Sequence, residues 1–249
     1  MSLFISSIAS GSNGNCYYIG NHKEAVLIDA GISCRETEAR MNRLKLSMQT
    51  VKAIFISHEH SDHIQGLAVL AKKYALPVFI TEPTLQHCSH VAGNRMIVQT
   101  FAPLQPVEIG QLSITAFPKQ HDAIEPHSFT IKNEDVTIGV FTDIGSPCYN
   151  VIHHFKQCHA AFLEANYDET MLAKGRYPHH LKKRISGTHG HLSNTQALEL
   201  FTRHKPAFMS HLLLSHLSKE NNHPQLVEDL FTSHAGGTHI VVASRYKET

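Results

Sequence analysis

The segment "SHEHSDHIQG", residues 57–66, concentrates side chains that can bind a metal ion or move a proton. His58, His60, Asp62 and His63 within it form the pattern H-x-H-x-D-H. The composition of the chain gives roughly 0.004 expected chance matches to this pattern, so we interpret it as a metal site and not as a polar loop. Histidine is the commonest metal ligand in proteins, and the chain contains 21 of them.

The spacing within this segment indicates that one short loop serves two ions. Alternate side chains of an extended segment point the same way, so His58 and His60 share one direction. Asp62 and His63 begin a helix-like run and point elsewhere, within reach of a second ion. Two ions need more ligands than this loop supplies, so further ligands are expected elsewhere in the chain.

Three further candidates stand where apolar, strand-like runs end. His121 follows "LSITAFPKQ", Asp143 ends "VTIGVFTD", and His216 ends the run "FMSHLLLSH". Each of them alone is equally explained as a cap or a solvated turn residue, but together they complete the set that two ions require. His211 competes with His216, but we predict that His211 lies inside a buried strand on the opposite face, as a hydrogen-bonded structural residue.

The surrounding elements indicate how these residues are positioned. "LFISSIA", "CYYIG" and "EAVLID" read as strands joined by Gly- and Asn-rich turns, and "VKAIFI" reads as a buried strand that leads into the histidine segment. "SCRETEARMNRLKL" and "DHIQGLAVLAKKY" have helical periodicity. Early hairpins followed by strand–helix units predict β-sheets covered by helices, in one domain over residues 1–249.

Composition narrows the cellular setting. The five cysteines form no C-x-x-C pair, which argues against a disulfide framework and for a reducing compartment. The N-terminal residues lack a basic signal-peptide region, and no apolar run reaches the roughly 18 residues of a membrane span. The formal net charge is +1, which by itself indicates binding neither to a membrane nor to nucleic acid. We expect a cytoplasmic protein without a membrane or an obligate protein partner.

One basic segment stands out from this near-neutral background. It is "KGRYPHHLKKR", residues 174–184. It is explained either as a path for a nucleic-acid backbone, with Tyr177 stacking on a base, or as a solvated helix face.

Several motifs together resemble the metallo-β-lactamase fold superfamily. "HEHSDHIQGL", a later His, an Asp after a strand and a last His carry the superfamily resemblance. "YPHHLKKRI", "GHLSN" and "LSHLSKENN" resemble its YycJ/WalJ branch, bacterial metallohydrolases regarded as 5′-to-3′ DNA exonucleases. In that branch the sequence N-H-D stands where this chain has Asn166, Tyr167 and Asp168, so any role of a histidine there is absent from this chain.

The resemblance implies a fold and a division of the ligands. The fold is an αββα sandwich, two facing mixed β-sheets flanked by helices, with the metal site at one edge. One ion would be held by His58, His60 and His121. The other would be held by Asp62, His63 and His216, with Asp143 bridging both.

The chemistry implied is dinuclear phosphodiester hydrolysis by a metal-bridging hydroxide. Two divalent ions lower the pKa of a shared water and neutralise charge on the phosphoryl oxygens. Nitrogen and carboxylate ligands suit Zn or Mn, and DNA is the expected substrate and partner. The alternative on the same site is a metal-dependent hydrolase of a small thioester, lactone or cyclic phosphodiester.

Asp62, Asp143 and His191 are the expected catalytic residues. His191, in "GTHGHLSN", either contacts a phosphate or protonates the leaving oxygen, because its pKa range suits that task. The alternative is that His191 only caps the helix that begins near Ser193.

Overall fold

Two β-sheets face each other in the computed structural model, which describes residues 3–88 and 96–249. The first sheet has the strands β1 Phe4–Ala9, β2 Cys16–Gly20, β3 Ala25–Ile28, β4 Val51–Phe55, β5 Pro77–Phe79 and β6 Ile97–Gln99. The second sheet has β7 Pro106–Ile109, β8 Leu112–Pro118, β9 His127–Asn133, β10 Val136–Phe141, β11 Ala160–Glu164, β12 His211–Ser215 and β13 His239–Val242.

The strand directions bring one set of strand ends to a common edge. β3 to β6 are parallel neighbours, and β10 to β13 are parallel neighbours in the other sheet. β8 is antiparallel to β9, and β9 is antiparallel to β10, so β8 runs in the same direction as β10. The residues that follow β8, β10, β11 and β12 therefore emerge at the same edge of the second sheet.

Helices cover both outer faces. They are α1 Cys34–Arg43, α2 Ser61–Ile64, α3 Leu67–Tyr74, α4 Glu82–His87, α5 Tyr149–Phe155, α6 Glu169–Lys174, α7 His179–Ile185, α8 Asn194–His204 and α9 Pro224–Thr232. α1 and α3 pack on the first sheet, while α5, α8 and α9 pack on the second. The predicted αββα sandwich is confirmed.

The inner faces of the two sheets form a shared apolar core. Phe55 and Phe79 stack with ring centroids 4.5 Å apart, and Tyr17 of the first sheet meets Phe162 of the second at 4.8 Å. Burying each such ring stabilises the fold by about 1.5–3 kcal/mol. Because both sheets contribute to this core, we propose that residues 1–249 form one domain.

The predicted helix over "DHIQGLAVLAKKY" is two helices, and this part of the prediction was wrong. α2 ends at Ile64 and α3 begins at Leu67. Gly66 lies between them, with its N–H donating to the Ala30 carbonyl at 2.8 Å. A Cβ atom at Gly66 would stand 1.8 Å from the Ile32 carbonyl oxygen, so tertiary contact with this loop sets the break.

Across the described residues, every helix is too short or too polar to cross a bilayer.

Candidate metal centre

Seven side chains meet at the edge where these strands end. We call them the site cluster: His58, His60, Asp62, His63, His121, Asp143 and His216. The histidine segment follows β4, and the other members follow β8, β10 and β12. Rigid strands thus present ligand atoms from both sheets, whereas the sequence separates the first and last of these residues by more than half of the chain.

The first group in the site cluster is three histidines. The ligand atoms of His58, His60 and His121 all lie within 4.8 Å of one another. His58 Nε2 is 3.0 Å from His60 Nδ1, as expected for alternating side chains that point the same way. His121 Nδ1 donates to the Gly190 carbonyl at 2.9 Å, which leaves Nε2 as the nitrogen that faces the group.

The second group is Asp62, His63 and His216, whose ligand atoms also lie within 4.8 Å of one another. Asp62 Oδ2 is 3.6 Å from His63 Nε2 and 3.7 Å from His216 Nε2. Asp62 and His63 lie on α2, which begins directly after His60, so the change from extended chain to helix redirects the side chains. The ligand atoms of His58 and His63 also lie within 4.8 Å of each other and of Asp143, so the two groups adjoin, and the division of the loop between two ions stays a prediction.

Asp143 lies between the two groups. Its Oδ2 is 3.3 Å from His63 Nε2, and its Oδ1 is 3.8 Å from His121 Nε2 and 3.5 Å from His216 Nε2. The carboxylate is 2% exposed and so reaches neither bulk water nor the protein surface. A carboxylate in this position can contact an ion in either group.

The backbone is strained at three residues of this region. Asp29, Asp143 and His216 have φ values of 64°, 54° and 56°, in the left-handed region that few residues other than glycine adopt. Such residues cost about 1–3 kcal/mol each and persist where the surrounding structure holds them. Their concentration at the edge that carries the site cluster supports a functional role for that edge.

Asp29 was not predicted from the sequence, yet it orients the cluster. It is fully buried, and its Oδ2 accepts from His63 Nδ1 at 2.7 Å and from Ser57 Oγ at 2.8 Å. The Nδ1 proton of His63 is thereby held on the side away from Asp62, and Nε2 is turned toward the centre. The available signal was a charged residue that ends the apolar run "AVLID".

Glu164, the last residue of β11, was also missed. Its Oε1 accepts from His191 Nδ1 at 2.7 Å and from His216 Nδ1 at 2.9 Å, and its Oε2 accepts from the backbone N–H groups of Ile144 and Leu192. Burial alone would raise the pKa of Glu164, but His191 and His216 lower this pKa to about 2. The ionised carboxylate accepts only, so both histidines present Nε2 to the site.

Replacing Glu164 by glutamine should weaken metal binding near His216 by about 10–100-fold, the usual effect of losing a partner that orients a ligand. The carboxamide would keep the volume of the side chain but would no longer hold the two Nδ1 protons equally. Metal content after dialysis against graded chelator measures this. The control is Glu228→Gln, at an exposed residue on α9. Equal metal affinity in the two variants would show that Glu164 does not orient the ligands.

His191 does not cap the following helix. Ser193 caps α8, where its side chain accepts from the Gln196 N–H and the Gln196 side chain accepts from the Ser193 N–H. His191 Nδ1 lies 3.9 Å from Asp143 Oδ1, at the margin of the site cluster, and its side chain is 20% exposed. The imidazole therefore stands where it can meet both the cluster and solvent.

The prediction that His211 lies within a buried strand was wrong. β12 begins at His211, whose side chain is exposed and whose Nδ1 meets Ser210 Oγ at 2.9 Å. His216 follows the last residue of the same strand and is buried. The two histidines thus lie at opposite ends of β12, and His216 alone reaches the site cluster.

Two other sequence features can be placed. Tyr167 is buried in a short bridge to Ser193, and Asp168 caps α6 by accepting from the Met171 N–H at 2.8 Å. The basic segment carries α7, and Arg184 on this helix forms an ion pair with Asp122, the residue after His121. The basic segment therefore borders the site cluster.

Buried atoms without a partner test whether a metal fits here. Within the described residues, no hydrogen-bond partner exists for His121 Nε2, His216 Nε2 or Asp143 Oδ2, although all three atoms are buried. Such atoms are costly unless something binds them. They converge with further nitrogen and carboxylate donors, a set that suits a borderline divalent cation, so the residues present fit a divalent metal centre.

The comparison with known proteins gives the class. The family model described as a β-lactamase superfamily domain matches residues 24–216, and the chain belongs to this superfamily. Over its full length the chain superposes on the metallo-β-lactamase fold protein YhfI from Bacillus subtilis, with a TM-score of 0.77 at 15% identity and complete coverage of both chains.

Within the superfamily, the YycJ/WalJ relationship inferred from the late motifs is confirmed. The chain is 37% identical over 228 residues to the exodeoxyribonuclease YycJ of Bacillus anthracis, covering 91% of this chain and 86% of the relative. It is 32% identical over 227 residues to the exodeoxyribonuclease WalJ of Streptococcus pneumoniae serotype 2, covering 89% and 84% respectively.

Proposed function

We propose that this protein is a dinuclear, metal-dependent DNA exonuclease that acts in the 5′-to-3′ direction. The observation that carries the proposal is the convergence of two groups of ligand atoms on the buried, partnerless Asp143 carboxylate oxygen. At the level of reaction class, the chain is a metal-dependent hydrolase of phosphodiester bonds, which follows from its family and from the names of its curated relatives.

The proposed ligand sets follow the two groups. His58, His60 and His121 would hold one ion, and Asp62, His63 and His216 would hold the other. Asp143 would contact both. Divalent ions held by these residues, Zn or Mn, would lower the pKa of a bound water and neutralise charge on the phosphoryl oxygens.

The side chains of this chain supply the rest. Asp29 and Glu164 fix the ring orientations of His63 and His216, so the ligand atoms are in place before substrate arrives. His191 holds its Nδ1 proton on Glu164, which leaves Nε2 to contact a phosphate or to donate a proton to the leaving oxygen. Asp62 and Asp143 are the proposed catalytic carboxylates.

DNA is the proposed substrate because both curated relatives are named exodeoxyribonucleases and because the basic segment borders the site cluster. We also propose that the protein is cytoplasmic, as its cysteine pattern indicates. The test is protein stripped with chelator and reloaded with Zn or Mn, incubated with 5′-labelled and 3′-labelled DNA, RNA, bis-p-nitrophenyl phosphate and a glutathione thioester. Early release of the 5′-terminal nucleotide is expected. Thioester cleavage without DNA cleavage would contradict the proposal.

Metal binding at pH 7 should release about two protons per chain. In the metal-free chain, burial lowers the pKa of His121 to about 3 and also lowers that of His58, so both are neutral. Burial also opposes protonation of His63 and His216, but the carboxylates around them prevail, raising the pKa of His63 and taking that of His216 to about 10. Both of these must lose a proton to bind metal.

Calorimetry in buffers of different ionisation enthalpy measures this release. Protons and ions compete, so activity should fall below about pH 6 and should partly recover with excess metal. The raised His216 pKa stabilises the metal-free fold below about pH 6.5, and this stabilisation is lost as the pH rises through about 10. Binding without proton release would contradict the assignment of His63 and His216 as ligands.

A further inference from the structure

A cavity lies beside Leu217, the residue that follows His216 in the chain. Its volume is about 430 Å³, and Ser10, Leu217, Lys219, Arg245, Tyr246 and Lys247 are among its lining residues. Leu217 directly follows His216, and Ser10 Oγ accepts from the His216 N–H at 2.7 Å. One wall of the cavity is therefore formed by the residue next to His216, a proposed ligand, and neighbouring Cα atoms in a chain are about 3.8 Å apart. We call this cavity the adjacent pocket.

The charged side chains that line the adjacent pocket are all cationic. Lys219, Arg245 and Lys247 line it, and its lining residues include no carboxylate. Nearby, Glu220 is close enough to affect the pKa of Arg245, and Glu248 is held by a two-point ion pair with Arg43. The lining itself presents three positive charges without a matching negative charge.

Arg245 is fixed in place at this wall. Its guanidinium donates to the Leu217 carbonyl at 3.0 Å, and no ion pair with it occurs among the described residues. The guanidinium also packs against Gly11, where a Cβ atom would stand 2.7 Å from Arg245 Nη2 and where the φ of 126° disfavours residues other than glycine. A half-buried guanidinium held by one backbone carbonyl keeps most of its donors for a ligand.

The beginning of α9 adds to the positive electrostatic potential of the adjacent pocket. His223 and Pro224, where this nine-residue helix begins, line the adjacent pocket, and no side chain caps the helix. Pro224 has no N–H, and the His223 N–H donates to Asn222 Oδ1 at 2.9 Å, so this end of α9 contributes the positive end of its dipole and not a hydrogen bond. Cationic side chains and an uncapped helix start thus converge on one cavity.

The remaining walls are apolar and include an aromatic ring. Leu217, Pro224, Val242 and Ala243 line the cavity together with Tyr246, whose side chain is 72% exposed. Proteins that bind single-stranded nucleic acid often place an exposed aromatic ring beside cationic side chains. A base stacks on the ring, and the cations bind the phosphate. An inorganic anion alone would leave the apolar walls empty.

We propose that the adjacent pocket binds one nucleotide of the single DNA strand, next to the phosphodiester at the site cluster. Arg245 and Lys247 hold its phosphate, and Tyr246 stacks on its base. This assignment rests on the proposed nuclease function and adds to it the position at which the strand is held. Binding here places the neighbouring phosphodiester at the metal ligands and favours single strands, whose bases are free to stack.

The test separates strand binding from hydrolysis in the metal-loaded full chain. Binding is followed by fluorescence anisotropy with a phosphorothioate single-stranded DNA oligomer, and hydrolysis is followed with bis-p-nitrophenyl phosphate, which is too small to occupy both sites. Arg245→Gln should weaken oligomer binding by about tenfold or more, because a charged hydrogen bond is lost. Tyr246→Ala should weaken it by about fivefold or more through lost stacking.

Bis-p-nitrophenyl phosphate hydrolysis should stay within about twofold of wild type in these variants, since neither residue belongs to the site cluster. The control is Arg203→Gln, an exposed arginine on α8, which should leave both measurements unchanged. Lys247→Gln tests the charge again at an exposed residue, in case Arg245→Gln loosens the loop at Leu217. Unchanged oligomer binding in both charge variants overturns the proposal, as does an equal loss of both measurements.

The two proposals can fail separately. Hydrolysis of DNA with oligomer binding that does not depend on Arg245 would retain the nuclease function and reject the adjacent pocket. Oligomer binding that depends on Arg245, without hydrolysis of any phosphodiester, would support the pocket and reject the nuclease function.

Discussion

Asp143→Asn is expected to reduce phosphodiester hydrolysis below about a tenth of the wild-type rate, because the proposed mechanism needs two ions and Asp143 is the carboxylate proposed to contact both of them. The carboxylate is 3.3 Å from His63 Nε2 and 3.5 Å from His216 Nε2, so both ligand groups lose their common anion. The fold should persist, since asparagine has the same size and tolerates the left-handed backbone at this position. Initial rates at saturating metal, with circular dichroism as the fold check, measure this.

The matched control is Asp135→Asn. Asp135 is an exposed carboxylate in the turn between β9 and β10, at the opposite end of the strand that Asp143 follows. It should retain wild-type rate and metal content. Activity above about a tenth of wild type in Asp143→Asn, with both ions bound, would falsify the dinuclear mechanism.

His216→Ala should lose one metal ion per chain, whereas His211→Ala should keep both. The two histidines lie at the two ends of β12, one buried in the site cluster and the other exposed. Removing the His216 imidazole takes one of three donors from the second group, and Asp62 and His63 do not complete the coordination that zinc requires. Metal per chain by elemental analysis, after gel filtration in metal-free buffer, gives the count.

The His211→Ala variant is also the stability control for this pair. Its side chain meets only Ser210 Oγ among the hydrogen bonds described, so its removal should change the unfolding temperature little. The opposite pattern, with an ion lost in His211→Ala and both retained in His216→Ala, would show that the assignment of the final ligand is wrong.

Strands and helices with a clear local signal, such as an apolar run or a capping residue, were predicted correctly. The strands around "VKAIFI" and "VTIGVF" are apolar runs with β-branched residues, and α1 begins at Cys34, directly after the N-cap Ser33 and with an early Glu36, as the capping pattern indicates. The interruption at Gly66 was not predicted, because it depends on the Ala30–Ile32 loop, which packs against that glycine from another part of the chain. Helical periodicity carries no information about such a contact.

The site divides in the same way. H-x-H-x-D-H is recognisable because its ligands are adjacent in the chain and because the change from extended chain to α2 lies within the motif. Asp29 and Glu164 were missed because single carboxylates at the end of apolar runs are common, and neither has a partner near it in sequence. Their roles depend on histidines 34 and 52 residues away.

Residue types at short spacing along the chain are enough to predict the family, the H-x-H-x-D-H segment and the positions of His121, Asp143 and His216 at strand ends. The convergence of these residues depends on parallel strands from two sheets ending at one edge. The same holds for the strained Asp143 backbone, the Glu164 carboxylate shared by two histidines, and the pocket beside Arg245. These are distances between segments far apart in sequence, and packing of the sheets sets them.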